Sequence, residues 1–370
     1  MARVRANETG LIHYEPGRTL RGYTLLCGGG AATLIDMDGR ICHRWQHELR
    51  IQYANLLPGG RLLARAATAE DVKGQEGLNG QAPSVFELDW EGRELWRHDD
   101  DWLHHDHQRL ANGNTLLIQW RRLSKELTGQ VQGGYESEDD PDEMLADVLL
   151  EVAPSGEIVR EWRSWEHLDP AEDVICPLEH RKEWTHCNSV SETREGRWLV
   201  SFRRIDTLAL IDPATGAFEW KWGRGVLSHQ HDAQQLENGH ITAFDNGAHR
   251  RGLESSRVVE IDPETGDLVW QWAPNPPFGF FSFMAGGFDR LSNGSSLICH
   301  SSTGRILEVA PGGSVVWEYV NPFFVDNPRL GGRHNILFRA HRYEPDSPEL
   351  EGRDLDPARY GNLNRLYADA

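Results

Sequence analysis

The chain has 370 residues, room for two or three average domains or for one all-β propeller, and its 57 acidic against 38 basic residues give a formal net charge of -19. A field of that sign repels phosphate at long range, so neither nucleic acid nor an anionic membrane is an expected partner. With 37 glycines, 14 tryptophans and 39% apolar residues dispersed in short runs, the composition suits many short strands joined by turns.

At the N-terminus, MARVRANETGLIHYEPGR lacks the apolar stretch of a secretory signal. Nowhere is there a run of about 18 apolar residues able to span a bilayer. The expectation is a soluble, cytoplasmic protein. Five scattered cysteines, Cys27, Cys42, Cys176, Cys187 and Cys299, contain no CxxC pair and are expected as free thiols.

From Leu34 onward a two-part unit recurs with a period of about fifty residues. Its outer half reads TLIDMDGRICHRW ending at Trp45, then VFELDWEGRELW at Trp96 and LLEVAPSGEIVREW at Trp162. It continues as LALIDPATGAFEWKW at Trp222, VVEIDPETGDLVWQW at Trp272 and ILEVAPGGSVVWEY around Trp317. The inner half reads LLPGGRLLA from Leu56, QRLANGNTLLI from Gln108, SETREGRWLVSF from Ser191, QQLENGHITAF from Gln234 and DRLSNGSSLIC from Asp289. Apolar residues alternate with period two, and NG, DG, ETG and GG supply the positive-φ positions of tight hairpins.

Each unit therefore makes about four strands, and six units make an all-β, six-bladed β-propeller in a single domain over residues 1–370. Its blades are expected near 22–50 with 334–343, 51–100, 104–164, 185–223, 229–273 and 286–320. Only five inner halves are present among the repeats, so the sixth comes from HNILFRAHRY at His334. Its Ile336 to Tyr343 segment should pair with Tyr23 to Ile35 and close the ring of blades, hiding two sheet edges.

If strands run outward from a central channel, all long insertions fall on one face: 66–84, 122–147, 165–185, 246–256, 273–286 and 321–333. A site on that decorated face is expected. The acidic run around Glu138 reads as a solvated flap, and the aromatics of PNPPFGFFSF before Gly286 as a pocket lining or a packed-down loop.

The inner strands begin at that face, and their starts are rich in histidine. They carry His104, His105 and His107; then His186 with Asn188; then His229, His231 and Asp232; then His334 with Asn335. Aligned on the following leucine, His105 and His231 coincide, and His186 joins them if its turn is two residues longer. Second strands return to the same face with Arg121, Arg122, Arg203, Arg204, Asp245 and Asn246. Repetition of imidazole at one level points to function, at the channel mouth. By contrast His43, His47, His98, His167, His180, His240 and His249 read as ordinary surface residues, while His300 and His341 fit either role.

The ordered set HDHQRLANGNTLL, HCNSV with a downstream SFRR, and QHDAQQLENGHITAFDNG resembles the arylsulfotransferase (arylsulfate sulfotransferase) family, from about Leu34 to Trp317. The resemblance implies a six-bladed propeller that moves a sulfuryl group from an aryl sulfate to a phenolic acceptor through a sulfohistidine. On this chain the nucleophile would be His231. His186, Asn188, His105 and either Arg203 or Arg204 would hold the sulfuryl oxygens, with His107 and His334 as additional substrate contacts. Imidazole chemistry agrees, because a neutral ring is nucleophilic near pH 7 and surrounding donors stabilise a transferring oxyanion. A protonated His105 or His186 can serve the departing phenolate. No cofactor is required.

The surplus of histidines supports a second reading. His105, His186, His231 and His334 as neutral ligands could hold a divalent transition metal for a lyase or hydrolase, with Asp232 or Asp245 orienting them. A binding propeller without catalysis is a third reading, and converging imidazoles argue against it. Oligomeric state, donor and acceptor are not legible in the sequence.

Overall fold

The computed structural model describes residues 8–66, 75, 77–137, 143–326 and 331–367. Six sheets follow one another along the chain with the strand order inner to outer that the repeat implies, and they are the blades of a β-propeller. The first holds Ala340–Tyr343, Tyr23–Gly28, Ala31–Ile35 and Ile41–Gln46. The second holds Ile51–Leu57, Arg61–Ala66, Ser84–Leu88 and Glu94–Asp99. The third is Leu103–Arg109, Thr115–Arg122, Leu145–Val152 and Ile158–Arg163, and the fourth Cys187–Glu192, Trp198–Phe202, Thr207–Ile211 and Phe218–Trp222. The fifth is His231–Gln235, Ile241–Asp245, Arg257–Ile261 and Leu268–Trp272, and the sixth Gly287–Arg290, Ser296–His300, Arg305–Val309 and Val315–Val320.

Contacts divide the chain into two units, residues 1–67, 86–95 and 284–370 in one and residues 68–85 and 96–283 in the other. In the first, the C-terminal strand takes the inner position, but it is shorter than expected. Ala340–Tyr343 pairs with Tyr23–Leu26 in antiparallel register, whereas Arg333–His334 forms a separate small hairpin with Val325–Asp326. The N-terminal strand Gly10–Tyr14 was not anticipated. It adds a fifth strand outside Val315–Val320 and so covers the edge of the sixth blade.

In the second unit the third, fourth and fifth blades pack through two apolar clusters, one built around Ile118, Leu149, Trp184, Val200 and Ile211 and the other around Leu208, Leu227, Ile241 and Val259. The insertion after the third blade's second strand contains a short helix, Lys125–Gln130, capped by the Ser124 side chain on the Leu127 amide. The centre of the acidic run, residues 138–142, lies outside the described residues. In the PNPPFGFFSF segment, Phe280 is buried against Trp272 and Phe244, while Phe278 and Phe283 are exposed. That loop is packed down at one ring.

The recurring tryptophan has a structural reason. Trp45 Nε1 donates to the Asp89 carbonyl at 3.1 Å, Trp162 to Gly216 at 2.8 Å, Trp222 to Gly266 at 2.9 Å and Trp317 to Met37 at 2.9 Å. In each case the outermost strand of one blade pins the outer hairpin turn of the next. A large apolar ring with one donor suits a position that must both fill a gap and meet a turn carbonyl.

Candidate active site

The site is built in the second unit, where the inner strands of the third, fourth and fifth blades begin. His105, His186 and His229 all have left-handed backbone, with φ of 56°, 53° and 61°. For a residue with a Cβ this costs about 1–2 kcal/mol each, so the fold must enforce it. The enforcing bonds are visible. His105 N donates to the Gly80 carbonyl at 2.7 Å, the His186 carbonyl accepts from Arg203 N at 3.2 Å, and His229 N donates to Asp206 Oδ1 at 2.7 Å. Asp232 shares this backbone at φ 55°, so the left-handed conformation recurs along the starts of the inner strands without singling out one histidine level.

His105 and His186 meet with ring centroids 4.3 Å apart and planes at 69°. Both are buried. Behind them lies His104, stacked on Trp120 at 4.0 Å with its Nδ1 2.8 Å from His105 Nδ1 and its Nε2 3.1 Å from Asp147 Oδ1. The 2.8 Å contact between the two Nδ1 atoms requires that one of them donate and the other accept. Asp147 also accepts from the Cys187 amide at 2.7 Å and from the Thr185 hydroxyl. It thereby ties the start of the fourth blade to the third.

Glu183 anchors the other side. Its buried carboxylate accepts from His186 Nδ1 at 2.7 Å, Trp120 Nε1 at 3.0 Å and Arg204 Nη2 at 3.0 Å. Burial alone would raise the Glu183 carboxyl, but the charges of His186 and Arg204 outweigh it and hold it well below the carboxylate range. For His186 burial lowers the pKa against the pull of Glu183, with Arg203 and Arg204 opposing protonation further. With Nδ1 donating to Glu183, the neutral ring has its lone pair on Nε2.

Arg204 is the buried member of the arginine pair, bonded to the His180 carbonyl at 2.6 Å and to His180 Nε2 at 2.8 Å. Arg203 pairs with Glu179 at 2.6 Å. Glu179 in turn lies 2.9 Å from His229 Nε2, and His229 Nδ1 lies 3.0 Å from Asp206 Oδ1. A continuous polar chain thus runs from Asp147 through His104, His105, His186, Glu183 and Arg204 to Glu179 and His229.

His231 opens the inner strand of the fifth blade and is buried, with Nδ1 2.7 Å from Asn246 Oδ1. The Asn246 amide is itself fixed, because its Nδ2 donates to the Ser282 carbonyl at 2.7 Å. Only oxygen can then face His231, so Nδ1 is the donor, and in the neutral ring the lone pair is on Nε2. Asn188 is buried one strand away, its Nδ2 bonded to the Gln230 carbonyl beside His231 at 2.9 Å.

His107 is also buried, further along its strand opposite Leu117. His334 belongs to the first unit, where its Nε2 lies 3.1 Å from the Gly331 carbonyl. Also there, His341 bridges Asp289 and Tyr53, and buried His300 bonds Thr303.

Three histidines expected at the surface are not ordinary surface residues. His43 is buried between Trp45 and Trp90, His180 holds Arg204, and His249 packs on His229 at 4.6 Å. Sequence reasoning also passed over Glu179, Glu183 and Asp147. The first two stand in a long loop where carboxylates normally face water, and only the third dimension brings them under the histidines.

Residues 79–322 match the family model described as Arylsulfotransferase (ASST). No curated protein matches the sequence. Among solved structures, a protein of unknown function from Bacteroides caccae is similar at 15% identity over 87% of this chain and 98% of that one, with a TM-score of 0.54. A virginiamycin B lyase from Staphylococcus aureus aligns at 9% identity over 79% of this chain and 78% of that one, with a TM-score of 0.46. A streptogramin B lyase aligns at 9% identity over 92% and 96%, with a TM-score of 0.47. At these identities the first likeness speaks for the fold alone.

Proposed function

Because the chain belongs to the arylsulfotransferase family, we propose that it transfers a sulfuryl group from an aryl sulfate to a phenolic acceptor through a sulfohistidine at His231. The observation that carries this reading is the His231–Asn246–Ser282 hydrogen-bond chain, which orients a buried imidazole through its Nδ1 so that the neutral ring would carry its lone pair on Nε2. In the first half-reaction Nε2 attacks sulfur, an N–S bond forms, the aryl S–O bond breaks and phenolate departs. In the second half-reaction an acceptor phenol attacks the sulfohistidine sulfur, its proton is lost and His231 is restored.

The adjoining rings of His105 and His186 would stand beside the sulfuryl group, and either, once protonated, could bond a sulfuryl oxygen or serve the phenolate oxygen. Arg204, held by Glu183, supplies fixed positive charge behind them, and Asn188 orients the backbone at Gln230. The reaction as proposed needs no cofactor. Aryl sulfate and phenol are the partners proposed, and the five free cysteines fit a reducing, cytoplasmic setting. Among the described residues no helix is long and apolar enough to cross a membrane.

The test uses a chromogenic aryl sulfate with a phenol acceptor. Ping-pong kinetics are expected, together with a sulfated peptide containing His231 after quenching without acceptor, and His231→Ala should abolish both. Sequential kinetics with no trapped adduct would overturn the proposal.

A further inference from the structure

Beside the histidine chain, and separate from the proposed sulfuryl transfer, lies a group with a different composition. Cys176, His229 and His249 bring one donor atom each within 4.8 Å of one another. We propose that these three side chains form a binding site for a borderline-soft divalent metal of the zinc type, with its fourth position open to solvent.

Geometry supports this. Cys176 Sγ lies 3.5 Å from His249 Nδ1. In a tetrahedral zinc site with a Zn–S bond of 2.3 Å and a Zn–N bond of about 2.05 Å, the sulfur-to-nitrogen edge is about 3.6 Å. The two atoms already stand at ligand separation. The ring centroids of His229 and His249 are 4.6 Å apart with planes at 74°, an edge-on contact that keeps the two imidazoles together without stacking. Two of the three ligands, His229 and His249, have φ of 61° and 63°. Two adjacent left-handed histidines facing one thiol are costly to hold and call for a role.

The surroundings match a metal site as well. His229 Nδ1 lies 3.0 Å from Asp206 Oδ1, the carboxylate contact that characteristically orients a ligating imidazole, and its Nε2, now 2.9 Å from Glu179 Oε1, would exchange that contact for the ion. Glu179, paired with Arg203 at 2.6 Å and Arg204 at 3.6 Å, stands 2.9 Å from His229 Nε2 and 4.0 Å from His249 Nδ1, a carboxylate at the edge of the site. The fourth coordination position has access, since Cys176 and His249 line a cleft of about 800 Å³ whose wall also includes Asp206, Leu227 and Arg250. One thiolate and two imidazoles suit zinc, or copper and nickel, over magnesium or calcium. Loading would exchange the Cys176 thiol proton and the His229 Nε2 proton for the ion and release both to solvent.

The decisive measurement is a Co²⁺ titration of the chelator-stripped full chain, with no sulfate donor present, followed by Zn²⁺ displacement. A thiolate-to-metal charge-transfer band and tetrahedral d–d absorption are expected, saturating at one ion per chain. Cys176→Ser should abolish the charge-transfer band, and Asp206→Asn should weaken binding by about 10- to 100-fold. X-ray absorption of the wild-type chain loaded with Zn²⁺ should report one sulfur and two imidazole nitrogens, a readout that needs no variant. Absence of the band, its persistence in Cys176→Ser, or a sulfur-free coordination shell would each overturn the site. None of these outcomes depends on sulfuryl transfer.

Discussion

Asn246→Ala isolates the step on which the nucleophile assignment rests. The substitution removes the acceptor 2.7 Å from His231 Nδ1 and the donor 2.7 Å from the Ser282 carbonyl, both in a fully buried setting. Each partner left unsatisfied costs about 1–3 kcal/mol, so stability should fall by roughly 2–5 kcal/mol. Catalysis should fall for another reason. Without the acceptor the neutral ring divides between its tautomers and loses its fixed direction. A loss of about 1.4–2.7 kcal/mol in transition-state stabilisation corresponds to a kcat about 10- to 100-fold lower, with KM nearly unchanged. Asn246→Asp keeps an acceptor for His231 but not the donor to Ser282. It should recover much of the rate without recovering the melting temperature. Its added charge should also favour the imidazolium, moving the acid limb of the pH–rate profile to higher pH. Steady-state kinetics with a chromogenic aryl sulfate and thermal melts read these effects separately. A wild-type kcat in Asn246→Ala alongside a lowered melting temperature would refute the reasoning and leave Asn246 a purely structural residue.

Other perturbations probe other parts of the molecule. Burial lowers the His43 pKa to about 4, against the Trp90 carbonyl bond that raises it. Its contribution to stability is therefore present above the ordinary value near 6.5 and lost as pH falls through 4; denaturant titrations should find the advantage of wild type over His43→Gln shrinking by roughly 3 kcal/mol across that window. In Gly80→Ala a Cβ would overlap the His105 ring, and Gly80 has φ of 90°, so this variant should melt lower and turn over more slowly than wild type; unchanged behaviour in both would show that His105 has room to move. Deleting the chain from Gly331 onward removes the Ala340–Tyr343 strand from Tyr23–Leu26, exposes a sheet edge and should yield insoluble or unfolded protein by size exclusion and circular dichroism.

The parts of the fold that were legible are those specified within a few residues of themselves. Outer hairpins such as IDPETGDLVWQW carry their turn, alternation and tryptophan in one segment, so six of them could be counted directly. Ring closure was legible in kind but not in length, because residues 335–339 have strand-like composition but form no strand, and pairing resumes only at Ala340. The Gly10–Tyr14 strand has no repeat signature. Its place outside Val315–Val320 follows only from an edge that needed covering.

At the site, counting residues back from the turn aligned His105 with His231, yet β-bulges intervene at the starts of all three inner strands. A bulge adds a residue without adding a rung, so sequence offset and spatial level part company where side chains must be re-aimed. The left-handed residues His105, His186, His229 and Asp232 stand among these irregularities, and His231, opposite Phe244, meets Asn246. The carboxylates were harder still to foresee. Glu179, in the short strand Ile175–His180, and Glu183 lie four residues apart in one insertion, and one turns toward His229 while the other turns toward His186. Arg204 joins the two, at 3.6 Å from the first and 3.0 Å from the second. One buried guanidinium thus links the imidazole proposed to act on sulfate with the imidazole proposed to bind metal. Arg204→Met should therefore disturb both sites at once, whereas Asn246→Ala should leave Co²⁺ binding intact.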